Sequence, residues 1–85
     1  MSNSLNAEIR AVLSKHARLP VEIDSLADGA DLFQAGMSSH ASVNVMLALE
    51  EAFEIEFPDP MLKRSVFESV SAIAAAIGEL QAQAA

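Results

Sequence analysis

Ser38-Ser39-His40-Ala41-Ser42 holds three hydroxyls and a histidine, the densest run of groups in the chain that could attack or carry a substrate. Read as a catalytic pair, Ser39 and His40 are badly placed. The residues after them predict a helix, on which neighbouring side chains point about 100° apart and do not face each other. Ser39 also lacks a Gly-x-Ser-x-Gly elbow, so hydrolase chemistry is not expected. With no cysteine, disulfides, thiolate metal sites and cysteine nucleophiles are excluded, and the isolated His16 and His40 do not make a metal site. The acidic run Glu50, Glu51, Glu54, Glu56 and Asp59 lacks the glycine and spacing of a calcium loop and reads as a solvated face. On the residues alone, a Ser-Ser pair of this kind is usually the start of a helix.

The elements around this cluster follow from hydrophobic periodicity. Leu5, Ile9, Val12, Leu13 and His16 predict an amphipathic first helix over residues 5–16, capped by Ser4 or Asn6, with His16 on its core stripe. Residues 18–37 change texture, with Leu19-Pro20, Asp28-Gly29 and Ala35-Gly36 between isolated apolar residues. They read as a long loop pinned to the core, and a loop of that length in so small a domain is more often functional than accidental. Val45, Leu49 and Phe53 at spacing four predict a second helix from Ser38-Ser39 to about Phe53. Ile55 and Phe57 alternate with glutamates, but Pro58 and Pro60 follow at once and a lone strand has no partner; an extended linker is expected, then a short helical turn near residues 61–64.

The last helix has two candidate starts, Ser65 with Glu68 at capping-box spacing and Ser69 just before Val70, Ile73, Ile77 and Leu80; Ser69 is preferred. Residues 81–85 are expected to fray. The predicted fold is all-α, a small four-helix bundle of three main helices and one short one with a long first loop. It forms one domain over residues 1–85 with its core over about residues 5–80.

Composition narrows the function classes. The net charge of −7, from 12 acidic and 5 basic residues, argues against nucleic acid and for basic-faced protein partners. Residues 1–4 lack the features of a secretory leader and no apolar run approaches the ~20 residues of a membrane span, so a cytoplasmic protein is expected; with no strong sign of an oligomer in the sequence, a monomer is expected.

The stretch Asp31-Leu32-Phe33-Gln34-Ala35-Gly36-Met37-Ser38-Ser39-His40, then Leu49-Glu50-Glu51 and Phe53-Glu54-Ile55-Glu56-Phe57-Pro58, resembles the acyl carrier protein family. In that family a long loop ends in Gly-x-Asp-Ser-Leu, the serine opens the second helix, and the helix closes on Leu-Glu-Glu before a Phe-x-Ile-x-Ile/Phe-Pro segment. Counting back without a gap from Leu49-Glu50-Glu51 sets the family's modified serine on Ser39 and its motif glycine on Gly36. The likeness runs over about residues 31–77. It implies an acyl-carrier-type bundle whose Ser39 receives 4'-phosphopantetheine from coenzyme A through a phosphopantetheinyl transferase, and a chain that is not itself an enzyme. A phosphodiester at the first turn of a helix meets unpartnered N–H groups and the positive end of the dipole.

Departures from the family pattern point to particular partners. Ser38 replaces the usual aspartate, His40 the leucine, and Ala41 and Asn44 replace acidic positions, so the upper part of this helix has lost its negative charge. Gly-Met-Ser-Ser-His-Ala-Ser-Val with Met46-Leu47 is similar to the stand-alone aminoacyl carrier proteins of some bacteria, which are charged by amino acid:carrier-protein ligases resembling class II synthetase cores. That resemblance implies a small amino acid, such as glycine or alanine, held as a thioester. The expected partner-binding residues are His40, Val43, Asn44, Leu47, Glu50 and Glu51. Two alternatives are a carrier of fatty or polyketide acyl chains served by acyl-transfer enzymes, and an unmodified helical adaptor.

Overall fold

The computed structural model describes residues 2–84, with side chains over residues 5–83. Three fifteen-residue helices carry the fold: α1 (Ser2–His16), α3 (Ser39–Phe53) and α5 (Val70–Ala84). Two four-residue helices sit between them, α2 (Leu32–Ala35) and α4 (Arg64–Phe67), and the 3-10 turns Ile23–Ser25 and Asp59–Met61 tighten the loops. No strand occurs among the described residues.

The core follows the periodicity. α1 contributes Ile9 and Leu13, α3 contributes Val45 and Leu49, and α5 contributes Val70, Ile73 and Ile77, all essentially inaccessible to solvent. α1 packs on both α3 and α5, and α4 packs on α5. Phe57 and Phe67 close one end of the core edge to face, with centroids 5.1 Å apart. Burying such side chains is the main stabilising term, at roughly 1.5–3 kcal/mol for each large one.

Several expectations need correction. The first helix begins at Ser2, so Asn6 is not its cap; the Asn6 amide donates instead to Asp28 Oδ2 at 3.2 Å. The alternative cap, Ser4, falls outside the described side chains. His16 is half-buried at the edge of the core stripe. The long loop is more ordered than a pinned coil. Arg10 reaches across from α1 and donates to the carbonyls of Ile23 (2.7 Å) and Leu26 (2.9 Å) and to Asp28 Oδ1 (2.6 Å). Its far end is tied by the Leu32 N–H to the Glu68 carbonyl (2.7 Å) and the Ser71 N–H to the Asp28 carbonyl (2.9 Å).

The single short helix expected near residues 61–64 resolves into the turn Asp59–Met61, with Pro60 in its first positions, and the separate helix α4. Residues 55–57 form the expected linker, with Phe57 buried and Ile55 half-buried, but Glu54 is not extended: it takes a left-handed conformation (φ 53°) that ends α3, its N–H donating to the Glu50 carbonyl. Ser69 opens the last helix, its Oγ accepting from the Ala72 N–H at 3.0 Å. That helix runs to Ala84, past the point where fraying was expected.

Candidate functional site

The approach to Ser39 is built from local rules. Asp31 caps α2, its Oδ1 accepting from the N–H groups of Phe33 (2.9 Å) and Gln34 (3.2 Å). α2 then ends in a Schellman motif: the Gly36 N–H donates to the Phe33 carbonyl (3.2 Å) and the Met37 N–H to the Leu32 carbonyl (3.0 Å). Gly36 has φ of 126°, open to glycine alone, and its Cα lies against Pro20, so that an added Cβ would meet Pro20 Cδ at 2.6 Å. Met37 is buried and anchors the chain just before α3.

Ser38 is extended and caps α3, its Oγ accepting from the Ala41 N–H at 3.0 Å. Ser39 is therefore the first residue of the helix, with an exposed side chain. Ser42, a turn later, spends its hydroxyl on the Ser39 carbonyl (2.6 Å). Of the three serines, Ser38 and Ser42 have hydroxyls engaged with the backbone, and Ser39 stands at the head of a groove. Loss of the cap should weaken the fold: Ser38→Ala is expected to lower the unfolding free energy by about 1 kcal/mol, measured by urea titration.

The groove holds about 350 Å³ and runs between α3 and the segment leading into α4. Ser39, Val43 and Met46 form one wall, and Leu62, Lys63 and Arg64 the other. The Arg64 guanidinium lies 4.3 Å from the centroid of the Phe33 ring, at cation–π distance. A phosphodiester at Ser39 would find the first-turn N–H groups of α3 that the Ser38 cap leaves unpaired, those of Ser39 and His40, and two cations on the facing wall. The uncharged remainder of a pantetheine arm would find Val43, Met46 and Leu62. The residues present fit the group.

The expected partner-binding residues divide between two sides of α3. Val43 lies on the Ser39 side and is half exposed. Asn44, Leu47 and Glu51 line a second groove against α1, with Leu47 53% exposed, and His40 is exposed in the first turn. Glu50 is only half-buried in solvent terms, and its carboxylate is committed inside the protein: Oε2 accepts from the Phe57 N–H at 2.8 Å and fixes the linker after α3. Sequence reasoning missed the facing wall of the first groove. Leu62, Lys63 and Arg64 have no periodicity of their own, and Lys63-Arg64 as the only adjacent basic pair was the available signal.

Comparison with known proteins agrees with this geometry. The family model described as the phosphopantetheine attachment site matches residues 7–77. An aminoacyl carrier protein from Agrobacterium fabrum is 55% identical over 69 residues, 81% of this chain and 83% of that protein. The carrier protein from Agrobacterium tumefaciens, solved with an engineered Bradyrhizobium japonicum glycine:carrier-protein ligase and AMP, is 52% identical with a TM-score of 0.84, covering 86% of this chain and 97% of that one. A holo acyl carrier protein from Nitrosomonas europaea is 26% identical with a TM-score of 0.78, covering 92% and 95%. The chain belongs to the phosphopantetheine attachment site family and is a helical carrier protein of the acyl-carrier fold, built to hold a covalently attached phosphopantetheine.

Proposed function

We propose that Ser39 is the attachment point and that the arm it bears carries a small amino acid, glycine first among the candidates. The observation that carries the attachment is the contrast among neighbours: Ser38 and Ser42 use their hydroxyls on the backbone, while exposed Ser39 opens α3 at the head of a groove with two cations. When bound, phosphopantetheine supplies a thiol on which a carboxylic cargo is held as a thioester. The chain's own residues then have no chemistry to perform. They hold the anion at a helix start, keep the attachment serine exposed and present a surface to the enzymes that load and unload the arm.

The aminoacyl reading draws on the aminoacyl carrier protein that is 55% identical and on the similar carrier solved with a glycine:carrier-protein ligase. It also agrees with an arm-bearing helix that has no carboxylate from Ser39 to Leu49. Cytoplasmic supplies of coenzyme A and ATP suit such a carrier. In the test, holo protein is incubated with ATP, that ligase and radiolabelled glycine, alanine or serine in separate reactions. Glycine is expected to label the protein in a form released by hydroxylamine. Labelling by none of the three, with loading from fatty acyl donors instead, would transfer the assignment to acyl chains.

A further inference from the structure

The distribution of charge around α3 is opposite to that of the whole chain. The protein has a net charge of −7, yet four of its five Lys and Arg residues line the two grooves that flank α3. Lys63 and Arg64 line the groove on the Ser39 side, and Lys15 and Arg18 line the one against α1, where His16 joins them. The fifth, Arg10, is bound to Asp28 at 2.6 Å. Glu51 is the one carboxylate lining either groove, and α3 carries none before Glu50.

Between these cations the helix offers half-exposed Val43 and Leu47, and Leu62 stands on the far wall, 46% exposed. The last turn of a helix attracts basic residues to its dipole, which accounts for Lys15 and His16. Arg18 lies beyond that turn. It is held at φ of 54°, a left-handed conformation in which an arginine costs about 1 kcal/mol relative to glycine. Glu54 takes the same left-handed conformation after α3 (φ 53°), so this backbone marks a helix end; what sets Arg18 apart is that it lines the groove.

We infer that the arm-bearing face docks an acidic surface of the enzyme that loads it, with an apolar centre covering Val43 and Leu47 and carboxylates facing Lys15, Arg18, Lys63 and Arg64. The inference deepens the proposed function and rests on it for the identity of that enzyme. It reverses the polarity that total charge suggests, in which an acidic carrier seeks a basic partner. Attraction of this kind acts mainly on encounter and is screened by salt.

Two measurements separate the surface from the cargo. In the first, holo protein is loaded by the glycine:carrier-protein ligase at rising NaCl. The wild type is expected to lose kcat/KM with salt. Lys15→Glu with Arg18→Glu should lose about tenfold at low salt, carried by KM, while Glu79→Lys on α5, outside both grooves, should change nothing. Lys15→Gln with Arg18→Gln covers the case in which charge reversal disturbs folding and should show a smaller loss in the same direction. In the second, isotope-labelled wild type is titrated with an octaglutamate peptide and then an octalysine peptide. Octaglutamate is expected to shift amide resonances around residues 15–18 and 63–64, whereas octalysine should not.

Loading that is equal in the reversed and wild-type proteins, or faster in the reversed one, overturns the inference, as does an octaglutamate titration that leaves those resonances still. A ligase that fails on wild type while octaglutamate maps to both rims removes the aminoacyl reading and leaves the acidic partner standing.

Discussion

Ser39→Ala is expected to abolish phosphopantetheine attachment outright while leaving the fold intact. After incubation with coenzyme A and a broad-specificity phosphopantetheinyl transferase, the wild type should gain one phosphopantetheine by intact mass and the variant should gain none. The substitution is structurally mild because the side chain is exposed and the cap belongs to Ser38. Only the Ser39 carbonyl is used locally, by the Ser42 hydroxyl, and alanine keeps it. The stability change should therefore stay within about 0.5 kcal/mol, so a lost mass gain cannot be attributed to unfolding. Ser38→Ala is the complementary control, less stable yet still modified. The same gain in Ser39→Ala as in wild type would move attachment to a neighbour.

Gly36→Ala is expected to be the most damaging single methyl in the approach to the site. Two penalties add at one atom. The backbone at φ of 126° is closed to residues with a Cβ, and the new methyl would lie 2.6 Å from Pro20 Cδ, on a rigid ring that cannot rotate away. Relief requires Gly36 to leave that conformation, which breaks the paired hydrogen bonds ending α2 and pulls Met37 from the core. A loss of about 2–4 kcal/mol is expected, read by urea titration. In a core of this size such a loss is a large share of the total stability. Because Met37 leads directly into Ser38 and Ser39, attachment by the transferase should slow in parallel. A variant as stable as wild type would mean that the loop before α3 is not held as described.

The parts of the fold legible in sequence were those written in local rules. Ser38 and Ser69 sit immediately before periodic apolar runs, and both prove to be caps, so α3 and α5 begin where expected. Gly36 was placed by its register with Ser39, and its left-handed backbone with Pro20 behind it supplies the physical reason. α2 and α4 were not legible as separate helices. Four residues are too few to establish a period, and helices so short exist only because tertiary contacts offset the cost of nucleation. Neither was the role of Arg10, whose partners Ile23, Leu26 and Asp28 lie in the following loop and carry no mark of it.

For the site, the spacing singles out Ser39 as the proposed attachment point, and the groove beside it left no such mark. Lys63 and Arg64 stand far from Ser39 in the chain and reach its groove only when α4 packs on α5 and the linker after α3 is fixed by Glu50. For the same reason Glu50 reads in sequence as one more surface carboxylate. Its hydrogen bond to the Phe57 N–H turns it into a brace between α3 and the linker, a role that the spacing of seven residues does not announce.

Whether Ser39 bears the arm is decided by fragmenting the modified wild-type protein and locating the added group. Every modified peptide is expected to carry phosphopantetheine on Ser39, with Ser38 and Ser42 unmodified. Attachment at Ser38 or Ser42, or no attachment to a folded chain under conditions that modify a known carrier, would contradict that expectation.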